Sequence, residues 1–176
     1  MKNRLSTFLI FLFPLLMFAQ KKGQIITDFG KTFEVINPDF KTDLKNELKV
    51  VFDVGRSFKD TTKVNPLINT AARYLNMHVD AGVPKDKLSV AIVIHGAAAN
   101  DILRNEKYRS RFGIENPNAK LITDLHNNGV QIILCGQTAA YRGIERSDVL
   151  PEIQLALSAM TALVQLQNEN YRLINF

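Results

Sequence analysis

From Leu48 onward the chain alternates short, nearly unbroken apolar runs with stretches whose apolar residues recur every three or four positions. Leu48–Val54 and Leu88–Ile94 (LSVAIVI) are runs of the first kind, rich in β-branched residues, and predict strands covered on both faces. Val130–Leu134, Ile153–Leu157 and Tyr171–Phe176 predict three more. Between them lie helical segments. In 65–81, Leu67, Ile68, Ala71, Leu75 and Val79 fall on one stripe, Asn65 and Pro66 supply an N-cap and a first-turn proline, and Gly82 ends the helix. Ala97–Asn105 predicts a short helix. Asn116–Pro117 opens another that runs to Asn128, with Leu121, Ile122 and Leu125 inward. Gln137–Arg142 predicts a helical turn stopped by Gly143. Ser158 caps a last helix to Asn168, with Met160, Leu163, Val164 and Leu166 partly buried. Strand and helix in alternation predict an α/β domain, with a mainly parallel sheet of about five strands and helices on both faces.

The segment before Leu48 reads differently. Lys2 and Arg4 precede an apolar run, Phe8 to Phe18, that is too short to span a bilayer, and Ala19 stands before the polar Gln20-Lys21-Lys22. This is the pattern of a cleavable export signal, residues 1–19, and places the mature chain in the periplasm or outside the cell. An uncleaved anchor is the competing reading. No cysteine near Ala19 offers a site for lipid attachment. Residues 20–46 mix basic and apolar positions, and Phe29, Phe33, Val35, Ile36 and Phe40 make the segment too apolar for a disordered tail. An N-terminal extension packed on the domain is expected here, with a strand or hairpin near Thr32–Ile36. The domain itself is assigned to 47–176.

Composition narrows the function classes. The chain of 176 residues carries a net charge of +5, and loss of the leader leaves 20 basic against 17 acidic residues without a basic run. Neither nucleic acid nor, after cleavage, a membrane is an expected partner. GxSxG, GxxxxGK[ST], HExxH, CxxC and GxGxxG are all absent. One cysteine and three scattered histidines do not supply a zinc site, and neither metal nor cofactor is expected. His78 and His126 fall within helices on predicted polar faces.

The chemistry therefore rests on strand ends, where open α/β sheets bind ligands. His95 follows one apolar strand and Cys135 another; each precedes a glycine and a helical segment. A thiol at a helix start has its thiolate stabilised by exposed N–H groups. Cys135 is thus a candidate nucleophile, though a lone cysteine at such a place is equally a buried inert thiol or half of an intermolecular disulfide. His95 is a general base, a positive neighbour for the thiolate, or a hydrogen-bonded strand-end residue. Asn100, Gln137, Thr138 and Tyr141 are candidates to line the same mouth.

Three segments together resemble a known family: LSVAIVIHG at 88–96, NPNAKLITDLHNNGVQIILCGQTAAYRGI at 116–144 and SDVLPEIQLALSAMTALVQLQNENYRLINF at 147–176. Their order and spacing, above all G-V-x-I-x-x-C with the cysteine at the strand end, are similar to the DsrE/DsrF-like proteins. That resemblance implies a small DsrE-like α/β sandwich assembling as homotrimers or homohexamers. It also implies a persulfide carried on Cys135 and exchanged with a sulfur donor or acceptor protein, as in a sulfurtransferase or persulfide carrier. His95, Gly96, Gly136, Gln137 and Thr138 lie on loops that match the family's and are expected to shape the pocket. An export signal and an N-terminal extension depart from the cytoplasmic sulfur-relay pattern. Two other readings keep the fold: a non-catalytic oligomeric ligand-binding module, and a thiol redox sensor that forms a sulfenic acid or an intermolecular disulfide.

Overall fold

Strands of β-branched residues cannot expose either face to water, so their position in the fold is dictated by cover. The computed structural model describes residues 20–176; the expected leader, 1–19, lies outside them. Among the described residues five strands form one all-parallel sheet in the order β4-β3-β2-β1-β5. They are β1 (Leu48–Val54), β2 (Leu88–Ile94), β3 (Gln131–Cys135), β4 (Gln154–Ala156) and β5 (Arg172–Asn175). The helices are α1 (Pro66–Asp80), α2 (Asn105–Phe112), α3 (Ala119–Asn127), α4 (Gly136–Tyr141) and α5 (Ala159–Asn168).

Alternation along the central strands sorts the core into two layers. Val50, Phe52, Val54, Val90, Ile92, Ile94, Ile132 and Leu134 face α1 and α3, where Ile68, Ala71, Leu75, Leu121, Ile122 and Leu125 close the larger layer. Val51, Ala91, Val93 and Ile133 face the other way, against Ala162 and Leu166 of α5 with Ala159 and Leu163 beside them. The connection that contains α5 must carry the chain from the β4 edge to the β5 edge. Four strand spacings are about 19 Å. A ten-residue helix covers about 15 Å of that, and its flanking loops supply the rest.

Three elements differ from the sequence expectation. The expected helix 97–105 is a 3-10 turn, Gly96–Asn100, and a separate helix α2 follows it, ended by Gly113 in the left-handed conformation at φ 79°. Met160 and Val164, expected to be partly buried, are 75% and 57% exposed. α5 lies on its face with one stripe, 159, 162, 163 and 166, and these two side chains stand on the opposite side of the helix. In place of a strand near Thr32–Ile36, a single antiparallel bridge joins Lys21 to Thr32.

That extension is held to α1 by polar side chains: Asn69 accepts the Gly30 N–H at 2.8 Å, Asp80 accepts the Thr32 hydroxyl at 3.2 Å, and Asn76 makes the largest set of bonds. Asn76 is fully buried; its Oδ1 accepts from the Ile25 and Ile26 amides at 3.2 and 2.9 Å, and its Nδ2 lies 2.9–3.1 Å from the carbonyls of Ile26, Phe29 and Gly30. The clamp lets Ile26 enter the core. A second polar cluster ties the start of α1 to the loops beyond β2: the Asn65 side chain caps Leu67 N–H and donates to Asp101 Oδ2 at 2.7 Å, while Asn65 N–H donates to Asn118 Oδ1 at 2.7 Å. Burial pushes the Asp101 carboxyl upward, against hydrogen bonds from Asn65 and Ser57 that lower it. Replacing Asn76 by Ala leaves the Ile25 and Ile26 amides without an acceptor; the variant should lose about 3 kcal/mol. Urea denaturation measures the loss, and limited proteolysis should show cleavage between residues 20 and 46 before the domain is cut.

Candidate active site at the strand ends

Because every strand runs the same way, the last residues of β1, β2 and β3 collect on one edge of the layer. Alternation then fixes which side chains share a face. Asp53 follows Val51, His95 follows Ala91 and Val93, and Cys135 follows Ile133, so all three fall on the α5 side. β2 and β3 are neighbours in register, Ile94 opposite Leu134, which brings the histidine and cysteine turns side by side.

Cys135 is both the last residue of β3 and the N-cap of α4. Its Sγ accepts the N–H of Thr138 at 3.4 Å, the bond an N-cap oxygen ordinarily makes. β4 pairs Ala156 with Cys135, which sets the start of α5 immediately beside the sulfur. Burial pushes the thiol up, since Cys135 is only 5% exposed. Hydrogen bonds from the Thr138 amide and hydroxyl and from the Ala159 and Gln137 amides outweigh it, and the thiol lies below its ordinary 9.0. The N-termini of two helices therefore meet at one sulfur and favour its anion. Gly136 is required by closeness: a Cβ there would lie 2.5 Å from the Ala156 carbonyl oxygen.

His95 stands on the same rim but leans toward β1. Its Nε2 lies 2.9 Å from Asp53 Oδ1, and a Cβ on Gly55 would meet the ring at 2.6 Å. The carboxylate is an acceptor, so Nε2 carries the proton in this pair. Among the described residues no hydrogen bond joins His95 to Cys135. The link between the two strand ends is made by the next residue: Gly96 N–H donates to Thr138 Oγ1 at 3.2 Å. Gly96 has φ 53°, and a Cβ there would lie 2.7 Å from the Gly55 carbonyl oxygen.

The residues singled out in the sequence thus separate. Gly96, Gly136, Gln137 and Thr138 surround Cys135. Gln137 contributes its backbone amide, while its side chain reaches the Leu157 carbonyl at 3.4 Å. Asn100 accepts from Arg111 of α2, and Tyr141 at the end of α4 is 90% exposed; neither contacts the sulfur. His78, expected on a solvated face, is half-buried against Tyr74, with ring centroids 4.0 Å apart; His126 is exposed. Asp53 and Ala159 are site residues that carry no mark in the sequence, because their approach depends on strand order. Among the described residues no three His, Cys, Asp or Glu side chains converge to hold a metal, and no helix is long and apolar enough to cross a membrane. A hollow of about 330 Å³ lies between the extension and Met77, His78 and Asp80 of α1, away from Cys135.

A family model for the DsrE/DsrF-like family matches residues 49–176. The chain belongs to that family. Among solved structures it is similar to the protein of unknown function MTH1491 from Methanobacterium thermoautotrophicum. That match has 16% identity and a TM-score of 0.57, over 74% of this chain and 100% of that one. It is also similar to the YchN protein from E. coli, at 16% identity and a TM-score of 0.54, over 73% of this chain and 99% of that one. Both likenesses are of fold. No curated protein matches the chain. Membership in the DsrE/DsrF-like family gives the chain a fold of the sulfur-relay type.

The cap makes a stability test specific to Cys135. Cys135→Ser keeps an acceptor for the Thr138 amide and should unfold within about 0.5 kcal/mol of the parent, whereas Cys135→Ala should lose about 1 kcal/mol. Paired urea titrations of the two variants read the difference.

Proposed function

We propose that this protein carries sulfane sulfur as a persulfide on Cys135 and passes it to a partner thiol in the periplasm or outside the cell. The observation that carries this reading is the environment of Cys135 Sγ, where the Thr138 N–H of α4 and the Ala159 amide at the start of α5 favour a thiolate at the end of β3. Loading is an exchange without net redox change. The Cys135 thiolate attacks the outer sulfur of a donor persulfide; a new S–S bond forms, the donor's S–S bond breaks, and the donor's inner sulfur leaves as a thiolate that takes a proton from water. Delivery repeats the step with the acceptor thiolate attacking the outer sulfur and Cys135 leaving. The N–H groups that make Cys135 a nucleophile also make it a good leaving group, because a thiol of lowered pKa departs faster.

One observation favours a second reading. Cys135 is buried within the described chain, as an inert thiol in an oligomeric ligand-binding module would be. The two readings differ in reactivity. In the first, the alkylation rate of Cys135 rises with pH along a curve centred below that of an unperturbed thiol. A sulfane-sulfur donor then adds the mass of one sulfur atom, seen by intact mass and lost in Cys135→Ser. A slow thiol that titrates above the ordinary value and takes up no sulfur would leave the binding module as the reading.

Assembly into homotrimers or homohexamers belongs to the same proposal. Leu157, just before α5, and Met160 and Val164 on it make an exposed apolar line, and β5 is an edge strand whose four residues are all exposed, Leu173 and Ile174 among them. Light scattering of the mature protein at micromolar concentration should give a mass of three or six chains, and Val164→Glu should lower it. A monomeric parent protein would overturn the proposal of assembly.

A further inference from the structure

The imidazole at the end of β2 is held more closely than a surface ion pair requires. The backbone already ties this turn to β1, with His95 N–H donating to the Val54 carbonyl and Ala97 N–H to the Gly55 carbonyl, both at 3.0 Å. The side chain adds a third link, its Nε2 lying 2.9 Å from Asp53 Oδ1. The ring rests on Gly55, where a Cβ would lie 2.6 Å from Cε1 and 2.9 Å from Nε2. The carboxylate also sets the tautomer: with the proton on Nε2, Nδ1 of the neutral ring keeps its lone pair.

Among the described residues Nδ1 has no hydrogen-bond partner, and the His95 side chain is 35% exposed, so a molecule at the rim can reach it. A histidine that served only to join β2 to β1 would gain nothing from this arrangement, because the backbone bonds join them without it. A carboxylate that orients an imidazole and leaves its second nitrogen free and accessible is the arrangement of a general base. The proton to be taken is not that of Cys135, which has amide donors of its own and no hydrogen bond to the ring. Sulfur delivery requires another proton to move. A thiol of ordinary pKa, about 8.5, is only ~3% ionised at neutral pH, and the thiolate is the form that attacks sulfur. β2 and β3 are neighbours in register, so an acceptor arriving at Cys135 meets the rim about one strand spacing, ~4.8 Å, from the His95 backbone.

We propose that His95, oriented by Asp53, is the proton acceptor for the thiol to which sulfur is delivered, and that this acceptor is an alkyl thiol of ordinary acidity, protonated when it arrives. The inference rests on the reading of Cys135 as a sulfur carrier and names the class of its acceptor. In the step, the acceptor's S–H proton passes to His95 Nδ1 while its sulfur attacks the outer sulfur of the persulfide. The new S–S bond forms, the bond from outer sulfur to Cys135 Sγ breaks, and Sγ keeps the electron pair as a thiolate. The imidazolium then returns its proton to water. Nothing is oxidised or reduced on balance. Asp53 is a positioning residue, since it acts through the ring.

The test uses the full mature chain with Cys135 converted to its mixed disulfide with free cysteine, and follows release of Cys135 by intact mass near neutral pH. Two nucleophiles are compared: cysteine, whose thiol must lose a proton, and sulfite dianion, which attacks with a lone pair that carries none. His95→Gln should slow release by cysteine about tenfold and leave release by sulfite within about twofold of the parent. Asp53→Asn should slow the cysteine reaction in the same selective way, and added imidazole should restore it in His95→Ala. A His95→Gln variant that slows both nucleophiles equally has lost structure only and overturns the proposal; one that slows neither overturns it as well, and so does a Cys135 that no disulfide can reach. Should His95→Gln fail to fold, Asp53→Asn carries the same comparison. No sulfane sulfur enters the assay. A parent protein that takes up no sulfur therefore defeats the persulfide reading and leaves the selectivity of His95 to be read, while an unselective His95→Gln in a protein that does take up sulfur defeats only the role of His95.

Discussion

Returning from the β4 edge to the β5 edge forces the chain across the whole of one sheet face, and α5 makes that crossing. The rest of the molecule follows from it. Because β4 is only three residues long and ends opposite Cys135, the crossing helix must begin at the sulfur. Because one helix serves a face that also needs cover over β1, β2 and β3, it buries a single narrow stripe and turns Met160 and Val164 outward. The placement of the Ala159 amide beside Cys135 and the exposed apolar line along α5 are therefore two consequences of one topological step.

Cysteine is an unusual choice for an N-cap, where Ser, Thr, Asp and Asn are preferred. A neutral thiol is a weak acceptor, but a thiolate is a good one, and at a helix start it also gains from the dipole. The position thus favours the ionised form of the residue that occupies it. Burial acts in the opposite direction, and hydrogen bonds from three residues are needed to overcome it. A sulfur so held is buried and yet has its thiol drawn below the ordinary range by those hydrogen bonds, and that combination separates it from a core cysteine, whose thiol burial alone would push up.

The sequence makes the strands legible because each is a compact apolar run, and it makes α1 legible because Asn65, Pro66 and the stripe through Leu75 agree. Cys135 is legible as the end of a strand that opens a helix. What the pattern could not give depends on long-range pairing. The segment 105–112 has only Tyr108 and Phe112 as apolar anchors, one turn apart, so α2 has no stripe to reveal it. Asn76 looks like an ordinary polar helix position until the extension is seen folded onto it. The neighbours of Cys135 were undecidable for the same reason: two strand ends known one at a time do not say whether β2 and β3 lie side by side, and neither Asp53 nor Ala159 belongs to any local motif.

The same pairing also reassigns the histidine. A sequence with histidine and cysteine at consecutive strand ends invites a catalytic pair, but the parallel register sets their side chains on a common face while, among the described residues, no hydrogen bond joins them. β1 lies on the far side of β2, and the carboxylate it offers at Asp53 draws the imidazole that way. Gly96 then becomes the point where the two halves of the site join. Its conformation and its lack of a side chain let the chain turn close over the Gly55 carbonyl while its amide reaches Thr138. A larger residue there would have to move either the β1 end or the α4 start. Among the described residues, the hydrogen bonds that connect the Asp53–His95 strand ends to the sulfur therefore run through the Gly96 amide to Thr138 Oγ1 and from the Thr138 amide to Sγ, with none joining imidazole and thiol.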